Sequence, residues 1–443
     1  MKQVIDNAID YTLKSLKKSK ITQADIIVSG SDKLSLKSEK GELSEYAKSK
    51  THSLGVRIIN KNKVGISFTE DFSDWAIDQT INNALNNSKF AKSNDYISIE
   101  SQEVFNEDDT INSSLTNTSE LIDKVIYMEQ AVEKKDSRAK TPPYNGLSEV
   151  TSYSVLANTK GSRCSYKTKY YSSYTSCLLS DNEKNSMHSQ YDVAKNFNEL
   201  NFDALVDEVH EISSQFLNAE QIKSGSYPVK FSPDLLNTFF SSFSSLYSGK
   251  SVMDELSPWR DKLNETVTDE RLTISDISMY EGSLSKIPFD MEGNKKRDIH
   301  IVKDGKLSEF LHNSETAKKL EMENNFCASR GPKSPLSVSS SNTVITASKA
   351  VENLNDITYV EILSAQGLHS GISRTSGNIS LGVSGRVIEN GKVKHYFKDS
   401  TVSGNFFQML KNIHTISSKN EASRDKSFFC PEIIFDELTF AGS

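Results

Sequence analysis

Cysteine is scarce in this chain: Cys164, Cys177, Cys327 and Cys430 are spread over 443 residues and no two form a CxxC pair. That excludes a disulfide framework or a zinc ribbon as the source of stability and leaves reduced thiols packed as small hydrophobes. Long apolar runs are missing too. No stretch approaches the roughly 18 consecutive apolar residues of a membrane helix, and the N-terminus Met1-Lys2-Gln3-Val4-Ile5-Asp6 sets an acid where a signal peptide would begin its apolar run. A cytoplasmic chain, neither exported nor embedded, is the expectation. Positive charge is in deficit, with a net charge of −7. A protein that grips phosphate backbones needs a basic face, so nucleic acid is not an expected direct partner. No GxSxG elbow, P-loop, dinucleotide glycine fingerprint or EF-hand loop is present, which removes the sequence basis for serine-hydrolase, nucleotide and calcium chemistry.

What is present is enough to fold. With 36% hydrophobic and 25% charged residues the chain is globular, and its length is too great for one ordinary core, so two domains are expected, 1–220 and 221–443. Val4, Ile5, Ala8, Ile9, Leu13 and Leu16 recur at helical spacing. Alternating, β-branched runs follow at 25–29, 34–37, 52–59 and 64–69, the last two joined by a polar turn at 60–63. Ser73 is placed to cap a second helix carrying Trp75, Ile77, Ile81, Ala84 and Leu85. A polar excursion over 95–118, including Asp108 and Asp109, precedes a helix at 121–134. Long antiparallel strands are expected over 148–192 and a helix over 202–216, and Lys223-Ser224-Gly225-Ser226 reads as a link to the second half. That half carries two hairpin signals, Asp304-Gly305 and Asn390-Gly391, whose residues tolerate the positive φ of a type I′ turn, and closes on a strand at 432–440. The fold class is therefore α+β: a helix-flanked antiparallel sheet domain followed by a mostly β domain.

Candidate chemistry is thin. His210-Glu211 resembles the start of a zinc-peptidase helix, but position 214 is Ser and 215 is Gln, so no second imidazole shares its face. The other histidines form no pairs at ligand spacing. Between Gly367 and Gly385 five glycines fall within nineteen residues, around His369, Gly371, Gly377 and Asn378. Two readings stay open: bulges and turns of a β domain, or side-chain-free backbone approached by an extended peptide.

The order of several segments resembles a known family. Gly41-Glu42-Leu43-Ser44-Glu45, Leu54-Gly55-Val56-Arg57, Tyr227-Pro228-Val229-Lys230-Phe231, Pro288-Phe289-Asp290-Met291-Glu292-Gly293, Ile388-Glu389-Asn390-Gly391 and the closing Glu437-Leu438-Thr439-Phe440-Ala441-Gly442 occur in the order of the TldD/PmbA family, once called modulators of DNA gyrase. In its TldD branch the helix after the tyrosine-proline strand carries an HExxxH zinc motif, helped by a cysteine near the C-terminus. Here the matching run, 235–246, holds neither histidine nor glutamate, so the chain resembles the PmbA (TldE) branch, with Cys430 at a vestigial or structural position. The resemblance implies no cofactor and no catalytic residue in this chain. It implies a cytosolic complex with a TldD-type subunit that supplies the zinc and cleaves unfolded peptides inside a cavity, with family roles in maturing a peptide antibiotic and removing a labile antitoxin. Gly367, His369, Gly371, Gly377 and Asn378 are the candidate cavity lining, with substrate held by strand addition to a sheet edge of the second domain. The alternatives are a stand-alone peptide-binding or regulatory protein of toxin or gyrase systems, and a self-sufficient hydrolase.

Overall fold

The computed structural model describes residues 2–106 and 116–442. The first unit runs α1 (Lys2–Lys18), β1 (Ala24–Glu39), β2 (Glu42–Asn60), β3 (Lys63–Thr69), α2 (Asp74–Phe90), β4 (Val104–Asn106), α3 (Thr118–Lys135), β5 (Ala139–Lys140), β6 (Asn145–Asn158), β7 (Arg163–Asp181), β8 (Lys184–Ala194) and α4 (Phe202–Leu217). Ser73 caps α2, its Oγ accepting from the Ala76 N–H. The polar excursion carries β4; its centre, with Asp108 and Asp109, lies outside the described residues.

The runs expected at 25–29 and 34–37 are a single strand. Ser29 to Lys33 reads as a polar gap, yet β1 is an interior strand paired along its length with β2 on one side and β6 on the other. Two ladders of backbone bonds override the weak local propensity. The eight-stranded sheet follows the order β3-β2-β1-β6-β7-β4, with β5 and β8 also on β7. Alternation then decides what each face meets. Ile26 and Val28 pack under α1 and α2, and Leu34 and Leu36 under α3 and α4, so four helices share one face. Asp25, Arg57 and Gly55 point the other way, toward the second unit.

The second unit runs β9 (Gly225–Phe231), α5 (Pro233–Ser242), α6 (Gly249–Met253), β10 (Leu272–Asp276), β11 (Ile299–Lys303), β12 (Lys306–Leu307), α7 (Ser314–Leu320), β13 (Ala328–Ser329), β14 (Ser337–Val338), β15 (Thr343–Ala347), β16 (Tyr359–Gln366), β17 (Asn378–Glu389), β18 (Lys392–Asn405), α8 (Phe406–Lys411), β19 (Ile413–Ala422) and β20 (Phe428–Ala441). Both hairpin turns have the expected form: Asp304 and Gly305 have φ of 48° and 79°, and Asn390 and Gly391 of 53° and 71°. The closing strand β20 is central, pairing with β9, β15, β18 and β19. Because it pairs with both β18 and β9, the path β20-β18-β17-β16-β9 closes into a ring. Closure shortens the edges that strand addition needs, since β18 meets β20 over Thr401–Ser403 and β16 meets β9 over Val360–Ile362, while β12 lies at the end of the path and β19 hangs on β20.

The two units meet along a polar seam. Asp25 takes Arg57 Nε at 2.8 Å on one carboxylate oxygen and Arg330 Nη1 at 2.5 Å on the other, with all three side chains buried. A β-carbon on Gly55 would stand 1.9 Å from the Pro332 carbonyl oxygen, so glycine is what lets the backbones of the two units touch. Arg424 adds a two-pronged pair to Glu208 on α4, at 2.6 and 2.7 Å.

Candidate functional site

The residues around α5 decide what this chain can do chemically. Ser232 caps the helix through its Oγ, which accepts from Leu235 N–H, and Pro233 supplies a fixed φ in the first turn. Leu235, Leu236, Phe239 and Phe240 then fall on one buried face. The helix expected to run to 246 ends at Ser242, and Ser244–Leu246 is a 3-10 turn. The serine-rich run 241–245 has lower helix propensity than the leucines before it, and buried Phe243 forms the C-cap, its N–H donating to Phe239 O and Ser241 O.

The buried face of α5 meets aromatic rings. Phe239 packs edge-on to Phe231 with centroids 5.1 Å apart, Phe240 lies 5.5 Å from Phe406 and 5.3 Å from Phe428, and Phe243 stacks on Phe406 at 4.6 Å. Cys430, on β20, belongs to the same core. Burial pushes its thiol well above the ordinary value, so it stays protonated at neutral pH. A peptidase zinc takes about three nitrogen, sulfur or oxygen ligands and keeps one position open for water. Dry phenyl rings and one protonated thiol do not fit that ion.

His210 lies on α4 with Nε2 3.3 Å from Ser214 Oγ and 3.6 Å from Asp136 Oδ2. It has local polar partners and no second imidazole beside it on α4.

Residues 367–377 of the glycine-rich stretch form the loop from β16 into β17, and Asn378, Gly382 and Gly385 lie in β17. His369 and Asn378 are exposed, and Asn378 Oδ1 accepts from Asn405 Nδ2, the residue that caps α8. Gly367 and Gly377 both have φ of 79°. A β-carbon on Gly371 would stand 2.1 Å from Ser380 O, and one on Gly377 2.7 Å from the Phe407 ring. Gly377→Ala, strained at positive φ, and Gly371→Ala, crowded against the Ser380 carbonyl, should therefore each cost about 1–3 kcal/mol, read as a lower denaturation midpoint. An unchanged midpoint with weakened peptide binding would instead assign these glycines to the cavity. The loop is not remote from α5, because the Phe407 ring that abuts Gly377 also lies edge-on to Phe243, 5.7 Å between centroids.

Three family models match the sequence in order: PmbA/TldA metallopeptidase domain 1 over 24–88, the central domain over 112–215 and the C-terminal domain over 224–442. The chain belongs to the PmbA/TldD family. Metalloprotease PmbA of Escherichia coli O157:H7 is 22% identical over 447 residues, covering all of this chain and 97% of that one. A PmbA homologue from Buchnera aphidicola is 25% identical over 401 residues, 88% of this chain and 86% of its own length. Among solved structures, TldE from Thermococcus kodakarensis superposes with a TM-score of 0.84 at 19% identity, over 99% of this chain and all of that one. A Thermotoga maritima protein described as a candidate modulator of a DNA gyrase gives 0.86 at 23%, with the same coverage. At these identities the structures establish the shared fold. Among the described residues no helix is long and apolar enough to cross a membrane.

Two buried charge clusters carry no motif and escape a motif search. One is the Asp25 seam. In the other, Lys230 on β9 points away from the aromatic core, with Nζ 2.6 Å from Glu432, 3.4 Å from Glu421 and 3.5 Å from Glu361. Burial works against its charge, but the three carboxylates outweigh it and hold the lysine pKa above its ordinary value. The signal for both was a lone charge set between strand hydrophobes, Arg57 in Gly55-Val56-Arg57-Ile58 and Lys230 in Pro228-Val229-Lys230-Phe231.

Proposed function

We propose that this chain is the metal-free subunit of a cytoplasmic peptidase complex of the TldD/TldE type, holding unfolded polypeptide while a TldD-type partner supplies the zinc and the cleavage. The observation that carries this reading is the phenylalanine-packed face of α5, the helix on which the zinc-binding branch carries its ligands. A donor set replaced by rings that interlock with Phe231, Phe406 and Phe428 is built for packing, and a metal there would have to displace an intact core. On this reading the name metalloprotease, which its relatives carry, fits the complex that this chain would join, with the chemistry residing in the partner.

The purified chain should hold no stoichiometric zinc and leave an unfolded peptide uncut, and hydrolysis should appear on adding a TldD-type subunit. Elemental analysis and a peptide-cleavage assay, with and without that subunit, make the test. One tightly held zinc per chain with chelator-sensitive cleavage by the chain alone would overturn the reading. A chain that purifies from its cell without a peptidase partner, yet binds peptide, would favour the stand-alone regulatory alternative.

A further inference from the structure

Beside α5 lies an open cleft of about 390 Å³, within the size range of ligand pockets. Eight of its twelve lining residues are serines, contributed by two segments, 241–251 from the last turn of α5 into α6 and 337–340 at β14. The segments are about ninety positions apart in sequence, so the lining is assembled by the fold. Among the described residues none of these eight hydroxyls has a hydrogen-bond partner in the protein. The charged lining residue, Lys250, is held by Asp254 at 3.1 Å. Leu311 and Val338 add a small apolar wall.

Resting on the peptide-holding reading above, we infer that this serine cleft is where the chain grips polypeptide, through the main chain and without regard to side chains. A hydroxyl both donates and accepts, and the peptide backbone offers one donor and one acceptor per residue, so a wall of free hydroxyls meets an extended chain in several registers. A phosphate or carboxylate ligand would call for uncompensated positive charge, and Lys250 is neutralised. A sugar would call for an exposed ring to stack on, and Tyr247, the aromatic residue of the lining, is buried with its hydroxyl donating to Phe240 O.

The test uses the full chain and a capped, uncharged hexapeptide carrying one benzophenone residue, with cross-links mapped by mass spectrometry and affinity measured by fluorescence anisotropy. Cross-links should map to 241–251 and 337–340. The cleft-filling double variant Ser245→Phe, Ser339→Phe should lose about tenfold or more in affinity, with its melting temperature unchanged. The same hexapeptide N-methylated at alternate amides should bind the unaltered protein at least as weakly, a control that needs no variant to fold. Saturable binding with cross-links elsewhere, or equal binding of the N-methylated peptide, overturns the cleft assignment and leaves the peptide-holding role standing. No saturable binding by the chain, alone or with a TldD-type subunit, overturns that role itself.

Discussion

Replacing Asp25 with alanine should lower the stability of the folded chain by about 3–5 kcal/mol, the cost of removing one partner from a buried ion pair. Asp25 is the anion that both Arg57 and Arg330 contact, and without it two guanidiniums are left in a region closed to water. Burial pulls both toward neutrality. On Arg57 the charge and hydrogen bond of Asp25 outweigh it and hold the pKa above its ordinary value, whereas on Arg330 burial wins and the pKa falls to about 10. Arg330 is thus the less well compensated of the two, and its Nε and Nη2 have no partner among the described residues. Arg330→Leu should accordingly cost clearly less than Asp25→Ala, since it removes an under-satisfied cation and leaves the Asp25–Arg57 pair intact. Urea denaturation of the two variants decides the matter; equal losses would mean that the seam is held by shape and not by charge. Because Arg330 reaches Asp25 across the seam, Asp25→Ala should also separate the unfolding of the two units, seen as a second transition.

How far these features were legible in the sequence follows from the range of the physics involved. Ser73, Asp304-Gly305 and Asn390-Gly391 act through their own backbone and one or two neighbours, and each does in the structure what its residue type suggests. The polar stretch 29–33 and the end of α5 are set by tertiary partners. Two flanking strands carry the first, and a buried Phe243 at the C-cap stops the second. The ring closed by β20 joins strands some two hundred positions apart, and nothing local announces it. The candidate site divides the same way. The missing ligands of α5 could be read position by position, but the serine cleft could not, because Ser241 to Ser251 and Ser337 to Ser340 lie about ninety positions apart and no signal in either segment shows that they meet.

Lys230→Met should destabilise the chain by about 3–5 kcal/mol at neutral pH, and the loss should shrink on acidification. Methionine fills much of the space of the lysine stem, so the packing change is small; what is lost is the ammonium group facing Glu361, Glu421 and Glu432. Arg386 still pairs with Glu361 at 2.6 Å and Lys419 stands 3.5 Å from Glu432, so the remaining charge on the cluster is negative and only partly met. The sign of the pH dependence follows from the carboxylates. In the unaltered protein burial raises the Glu432 pKa, but Lys230 outweighs it and holds it below the ordinary value. That group contributes stability above its unfolded pKa, and the contribution is lost as pH falls through the folded one. Burial already raises Glu421 despite the lysine. Without Lys230 both Glu421 and Glu432 should sit above their unfolded pKa of about 4.3, so the variant is least penalised below that value and loses stability as pH rises through the folded values. The two stability curves therefore approach each other from neutral pH down to about pH 4. Circular-dichroism denaturation at several pH values tests this, and a loss that stays constant across that window would show that Lys230 contributes through packing of its stem and not through its charge.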